Sequence, residues 1–181
     1  MSVDTGGCGN IPVLESERLR LRGHRPVDYE DSAAMWGDVE VARYVGGKPL
    51  TREEVWARLL RYVGHWAWMG YGLWVVEEKD TGKFVGEVGY ANYKRDIQPP
   101  LTDMPELGWV LARDFHGKGY ATEAVRVATA WGDERFGSQR TVCIIDPENV
   151  ASIRVAEKCG FKESARTIYK DHATIVFTRQ R

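Results

Sequence analysis

The chain has 181 residues and a mass of 20.5 kDa, which suits one domain, and 25 Lys plus Arg against 26 Asp plus Glu leave a net charge of −1 that argues against broad nucleic-acid binding. No apolar run approaches the roughly 18 residues that a membrane span needs. Three cysteines, Cys8, Cys143 and Cys159, are too few and too odd in number for a disulfide framework, so a soluble cytoplasmic protein is expected, with neither membrane nor nucleic acid as a partner.

Residues 1–13 are Gly-rich and without periodicity, and read as a flexible leader before a single domain over 14–181. Arg18–Arg22 alternates as RLRLR, the pattern of a half-buried strand. Pro26 followed by Asp28, Glu30 and Asp31 predicts a helix start, and Gly46-Gly47 a break. Thr51 and Glu54 have capping-box spacing, and Val55, Leu59, Tyr62, Val63 and Trp66 carry a helix to about Met69. Tyr71–Glu77 and Phe84–Tyr93 read as strands joined by Lys79-Asp80-Thr81-Gly82. Residues 94–105 hold three prolines and form a long loop. Glu106–Ala112 is a further strand, in which Gly108 hints at a bulge or a close approach by a ligand. A Gly-containing turn over 113–121 leads into a helix bearing Ala124, Val125, Ala128 and Trp131 on one side. Thr141–Ile145 is a short strand, Asn149 caps a helix to Cys159, Gly160-Phe161 fits a Schellman ending, and two strands follow near 162–169 and 173–179. The pattern is α+β, or mixed α/β, around one sheet with about four helices.

The turn Arg113–Thr122 carries the clearest chemistry. Gly117 and Gly119 let the backbone curl and expose successive N–H groups beside the positive end of the next helix, and Lys118 adds charge. That combination suits a pyrophosphate. No stretch has the P-loop pattern, since Lys48 is followed by Pro49, and Thr122 stands where a dinucleotide fingerprint needs Gly or Ala.

The segment His116–Ala124 (HGKGYATEA) resembles the coenzyme A signature of the GNAT N-acetyltransferases, and Asn149–Phe161 (NVASIRVAEKCGF) resembles the family's second, downstream segment. Glu17–Arg22 (ERLRLR) and Glu106–Leu111 (ELGWVL) are similar to the branch that holds the ribosomal-protein N-acetyltransferases, the RimJ/RimL-like enzymes. The resemblance covers residue 14 to the C-terminus. It implies a GNAT-like fold: a mostly antiparallel sheet of six to seven strands, a splayed and bulged strand at 106–112, and flanking helices. It implies an enzyme, an acyltransferase that moves an acetyl group from acetyl-CoA to a primary amine by direct attack through a tetrahedral intermediate. The acceptor is a small molecule or a protein N-terminus, and the enzyme a monomer or homodimer. The alternative is a non-catalytic acyl-CoA-binding or regulatory module.

The resemblance also implies the coenzyme contacts: His116, Gly117, Lys118, Gly119, Tyr120, Ala121 and Thr122 for the phosphates, and the backbone of Trp109, Val110 and Ala112 for the thioester and pantetheine arm. Asn149 would bond the pantetheine amide. Two departures stand out. His116 occupies a position where Arg or Gln is usual, and Ala156 one where many relatives carry the Tyr that protonates the leaving thiolate.

Acyl transfer to an amine needs a base, an oxyanion donor and an acid for the thiolate. Glu106 precedes the apolar part of its strand and is the candidate base, acting through a water, with Trp109 or Trp74 expected as its apolar neighbours. Ser152, one turn beyond Asn149, is the candidate acid, with Tyr169 as a fallback. Glu123 is expected to be structural. Among seven Trp, those at 36, 56, 66, 68 and 74 crowd the first half, where one or two are expected to line the acceptor pocket. His24, His65, His116 and His172 have no metal-ligand spacing, so no metal is expected.

Overall fold

The structure is a computed structural model that describes residues 11–181; residues 1–10, with Cys8 and most of the expected leader, lie outside the described residues. The last part of that leader is anchored: Ile11 packs on the main core, and Trp74 Nε1 donates to the Pro12 carbonyl at 2.9 Å.

The strands are β1 (Leu14–Glu15), β2 (Leu19–Arg22), β3 (Leu73–Glu78), β4 (Phe84–Ala91), β5 (Glu106–Leu111), β6 (Thr141–Ile145), β7 (Lys162–Tyr169) and β8 (His172–Arg179). They form one eight-stranded sheet in the order β1-β2-β3-β4-β5-β6-β8-β7. The helices are α1 (Tyr29–Trp36), α2 (Val39–Ala42), α3 (Arg52–Met69), α4 (Tyr120–Phe136) and α5 (Val150–Lys158). The expected class holds. The extra strand is the short edge strand β1, and the extra helix arises where Asp38 stops α1 and caps α2, its Oδ1 accepting the Glu40 N–H at 2.8 Å.

The local signals work as their chemistry requires. In the capping box of α3, Thr51 Oγ1 accepts the Glu54 N–H and Glu54 Oε2 accepts the Thr51 N–H at 2.8 Å. Gly70 ends that helix at φ +68°. Helix α5 ends in a Schellman motif: the Phe161 N–H bonds the Ala156 carbonyl, the Gly160 N–H that of Glu157, and Gly160 has φ +85°.

Strand alternation separates two cores. On one face Leu19, Leu21, Trp74, Val88, Leu107 and Leu111 meet Ala124, Val125 and Ala128 of α4 and Ala156 of α5. Trp66, Trp74, Trp131 and Tyr90 stack through this core with ring centroids as close as 4.9 Å. On the other face α1–α3 cover the first half of the sheet, through Trp36, Val41 and Val55 and through Leu59, Tyr62, Leu73 and Ala91. The loop before β5 covers the second half of that face by packing Ile97 on Val142 and Val176.

The sheet opens between β5 and β6. These two strands are parallel and share one ladder pair, Glu106 with Val142, supported by the Val142 N–H to the Pro105 carbonyl at 3.0 Å. The expected bulge at Gly108 is not there: β5 pairs with β4 without a register shift from Ala91–Glu106 to Gly86–Leu111. The strand is splayed, and Gly108 sits in a regular ladder.

Candidate active site

Both splayed strands run towards helix N-termini: β5 leads to α4 through a 3-10 turn over Arg113–Phe115, and β6 leads to α5. Sites in sheets with parallel strands form outside such carboxyl ends. The turn before α4 is built on glycine, with φ +74° at Gly117 and +82° at Gly119, the N-cap residue. Among the described residues, no hydrogen bond takes up the N–H groups of Gly117, Lys118, Gly119, Tyr120, Ala121 and Thr122. A stretch of consecutive unsatisfied amides at a helix start is an anion cradle. The His116 N–H is not part of it, because it donates to the Arg113 carbonyl at 3.0 Å, and the His116 ring holds the turn to the strand end through the Leu111 carbonyl at 2.8 Å. Tyr120 turns its ring into the protein, where it bonds Glu78 and lies under Arg18. Glu123 is structural, as expected: it accepts from Ser16 Oγ and from the Arg18 N–H and side chain.

The strand β5 offers its backbone alternately to its two neighbours. The Ala112 N–H donates to Val85 of β4 at 2.9 Å, while the Pro105 carbonyl faces β6. By alternation Trp109 presents its N–H and C=O to the gap. Val110 and Ala112 face β4, so of the three backbones expected to meet a ligand only Trp109 is oriented for it.

A cavity of about 430 Å³ joins the gap to the face beneath α1–α3. Gly108, Trp109 and Val110 form one wall, Ile144–Asp146 with Asn149 and Ser152 the other, and Trp36, Tyr62 and Glu87 the far end. Asn149 caps α5, its Oδ1 accepting the Ser152 N–H at 3.1 Å. Tyr169 also borders the cavity, and Arg95 donates to its hydroxyl at 3.3 Å. Ala156 is fully buried in the α4–α5 core, and its methyl group has no proton to give to a thiolate.

Glu106 is buried, but not against the expected tryptophans. Trp74 and Trp109 lie on the opposite face of the sheet, since residues an odd number apart along β5 point to opposite sides. The neighbour is Arg95, whose fork meets both carboxylate oxygens, Nε to Oε2 at 2.6 Å and the terminal nitrogen to Oε1 at 2.7 Å. Arg95 had no signal in its own segment; it arrives because Ile97 fastens the loop over β6.

A second buried acid, Glu87, escaped the sequence reading. It has no exposed surface, accepts from Ser32 Oγ and Trp36 Nε1 at 3.0 Å each, and lies 3.5 Å from His24 Nε2. Burial alone would push its carboxyl up; His24, Trp36 and Ser32 outweigh that and hold it below the usual carboxylate range. The available signal was a lone charge inside the apolar run of β4. Of the five clustered tryptophans, Trp36 reaches the cavity, Trp66 and Trp74 fill the opposite core, and Trp56 and Trp68 are exposed. Cys143 is buried in an apolar strand, which pushes its thiol well up, away from nucleophilic use.

The Acetyltransferase (GNAT) domain model matches residues 18–162. The chain belongs to the GNAT acetyltransferases. This acetyltransferase is 36% identical over 166 residues to the uncharacterized protein YkkB of Bacillus subtilis (strain 168), covering 87% of this chain and 88% of that protein. It shares its fold with the acetyltransferase from Agrobacterium tumefaciens str. C58, at TM-score 0.82 and 26% identity over 96% of each chain. The ribosomal L7/L12 alpha-N-protein acetyltransferase RimL, solved in complex with coenzyme A, has the same fold at TM-score 0.73 and 16% identity, covering 93% of this chain and 98% of that one. The protein is therefore an acyltransferase of a family that transfers acetyl groups from acetyl-CoA and acts on amine acceptors. No helix among the described residues is long and apolar enough to cross a membrane, and no cluster of His, Cys, Asp and Glu suited to a metal occurs among them.

Proposed function

We propose that this acetyltransferase carries an acetyl group from acetyl-CoA to a primary amine, a small molecule or a protein N-terminus, by direct attack of the amine on the thioester. The observation that carries the reading is the run of unpartnered amides from Gly117 to Thr122 at the mouth of a splayed sheet. These amides, with Lys118, hold the coenzyme diphosphate. The pantetheine arm lies in the gap, with the Trp109 backbone on one side and the Asn149 amide on the other. The amine enters from the face beneath α1–α3 and meets the thioester at the splay.

The amine must arrive neutral to attack, since an ammonium has no free electron pair. Glu106 receives its proton through a water; Arg95 occupies one edge of each carboxylate oxygen and fixes the direction in which the remaining lone pairs point. The Trp109 N–H faces the gap and donates to the oxyanion as the C–N bond forms. As the C–S bond breaks, Ser152 Oγ passes its proton to the sulfur while taking one from water, so that a thiol leaves and the hydroxyl is restored. The likeness of ERLRLR and ELGWVL to the ribosomal-protein branch supports kinship with the RimJ/RimL-like enzymes within the family.

Titration calorimetry with coenzyme A and acetyl-CoA, followed by an amine screen read through free-thiol release, tests this. Uptake of the coenzyme with thiol release on adding an amine is the expected result; a folded protein that binds neither form of the coenzyme overturns it.

A further inference from the structure

The arginines of the cavity are not balanced by acids. Arg43, Arg58, Arg61, Arg95 and Lys170 border it, against Glu87, Glu106 and Asp146. Arg95 is occupied by Glu106, Glu87 is enclosed by Ser32, Trp36 and His24, and Asp146 caps the turn before α5 by accepting the Glu148 N–H. Among the described residues, Arg43, Arg58 and Arg61 have no carboxylate within ion-pair distance.

Arg58 is the informative one. The other arginines at least partly withdrawn from solvent, Arg20, Arg22, Arg95 and Arg179, each hold a carboxylate. Arg58 lies over the Trp36 ring at 3.9 Å and donates to the Tyr62 hydroxyl at 3.2 Å, and its Nε is enclosed with no hydrogen-bond partner. A buried cationic donor left without a partner is costly, and native proteins rarely keep one without a use. Arg61 follows one turn later on the same side of α3, beside the Tyr93 ring at 5.6 Å, and Arg43 stands at the exposed rim. All three line the cavity, with Arg58 at the far end between Trp36 and Tyr62, so a neutral or cationic acceptor would leave guanidinium donors without a partner.

We propose that the acceptor is a small primary amine that also carries an anionic oxygen group, a carboxylate or a phosphate, gripped by Arg58 and Arg61 with Arg43 closing from the rim. The inference rests on the acetyl-transfer reading and names the substrate class for that site. The guanidinium group matches the planar edge of a carboxylate and the face of a phosphate equally. Held at that end, the anion turns the amine towards the splay, where the thioester lies.

The test compares ω-amino acids of increasing chain length with their carboxamides, the diamines of equal length and the aminoalkyl phosphonates. Each kcat/KM is corrected for the fraction of amine that is neutral at the assay pH, since a near carboxamide makes an amine less basic than a near carboxylate does, and the corrected value reads the distal group. At one chain length or more, an anionic member should exceed its carboxamide by about tenfold or more, the size of a charge-assisted contact, with the advantage shrinking as salt rises. Arg61→Gln, at an exposed position, should cut the anion-to-carboxamide ratio by about threefold or more, and Arg58→Gln by more, through KM. Preference for carboxylate or for phosphonate says which oxyanion the forks hold, and either supports the inference. Carboxamides or diamines used as well as the anions at every length, or a ratio that survives both substitutions, overturns it, as does acetylation of peptides alone. Should Arg58→Gln fail to fold, Arg61→Gln decides. Coenzyme uptake, measured separately by calorimetry, tells the two readings apart: transfer without anion preference sinks only this inference, whereas absence of uptake sinks the acetyl-transfer reading. In that event calorimetric binding of the ω-amino acids, lost or kept in Arg61→Gln, still decides whether the arginines form an anion site.

Discussion

The Asn149 side chain commits its carbonyl oxygen to the Ser152 N–H, which leaves its NH2 as the group available to the coenzyme. The two duties separate by substitution. Asn149→Asp keeps the capping acceptor, so its melting temperature should stay close to that of the parent, while calorimetry shows coenzyme affinity down about tenfold. Asn149→Ala should lose both, with about 1 kcal/mol of stability gone. At Glu106 the expected outcome of Glu106→Gln is a fall in kcat of about 100-fold with coenzyme Kd unchanged. The same change strips Arg95 of its counter-charge and should cost up to about 3 kcal/mol in a denaturant titration. A rate that survives the substitution removes Glu106 from the proton path.

At the scale of elements, α4 is seated on the sheet through a glycine. A Cβ on Gly132 would overlap the Tyr90 hydroxyl and ring, and Tyr90 is fully buried in β4, so neither side can retreat. Gly132→Ala should therefore destabilise by about 2 kcal/mol in chemical unfolding, although alanine is the better helix former. This contrast explains which elements the sequence revealed. Helix α3 was legible from Thr51 to Met69 because its cap, its apolar period and its terminal glycine all agree. The Schellman end of α5 was legible for the same reason. The turn before α4 was legible as a turn because Gly117 and Gly119 directly precede the helix start. Contacts that depend on distant chain segments were not. Nothing near Glu106 in the sequence announces Arg95, which reaches it through a loop whose path depends on Ile97 meeting Val142 and Val176. The alternation of β5 was readable, yet which of its backbones face the gap depends on the side taken by β4. Nothing near Glu87 in the sequence announces Ser32 and Trp36, which α1 places over it.

At the scale of the whole molecule, buried carboxylates tie the helical face to the sheet. Asp28 joins the start of α1 to Arg22 of β2 through two bonds of 2.8 Å, and Glu87 joins β4 to α1. Burial works against the charge on Asp28, but Arg22 and the Arg25 N–H hold its carboxyl below the usual range, as His24, Trp36 and Ser32 do for Glu87. Both pKa values are lower folded than unfolded. Their stabilisation is therefore complete above the unfolded values of about 4 and is lost as pH falls through the folded ones. Thermal melts between neutral pH and about pH 3 should show a falling midpoint. Asp28→Asn and Glu87→Gln should each lower the midpoint at neutral pH and flatten that acid limb.

The single ladder pair between β5 and β6 divides the hydrogen-bonded framework into two leaves, β1–β5 and β6–β8, hinged at Glu106 and Val142. On the proposed reading, a co-substrate laid between them acts as a splint, supplying rungs that the chain itself lacks. Amide exchange at Trp109 and Leu111 should then slow in step with Ile144 when the splint is in place, although these residues belong to different leaves. The enzyme would be stiffest while loaded and would loosen along one seam each time product departs.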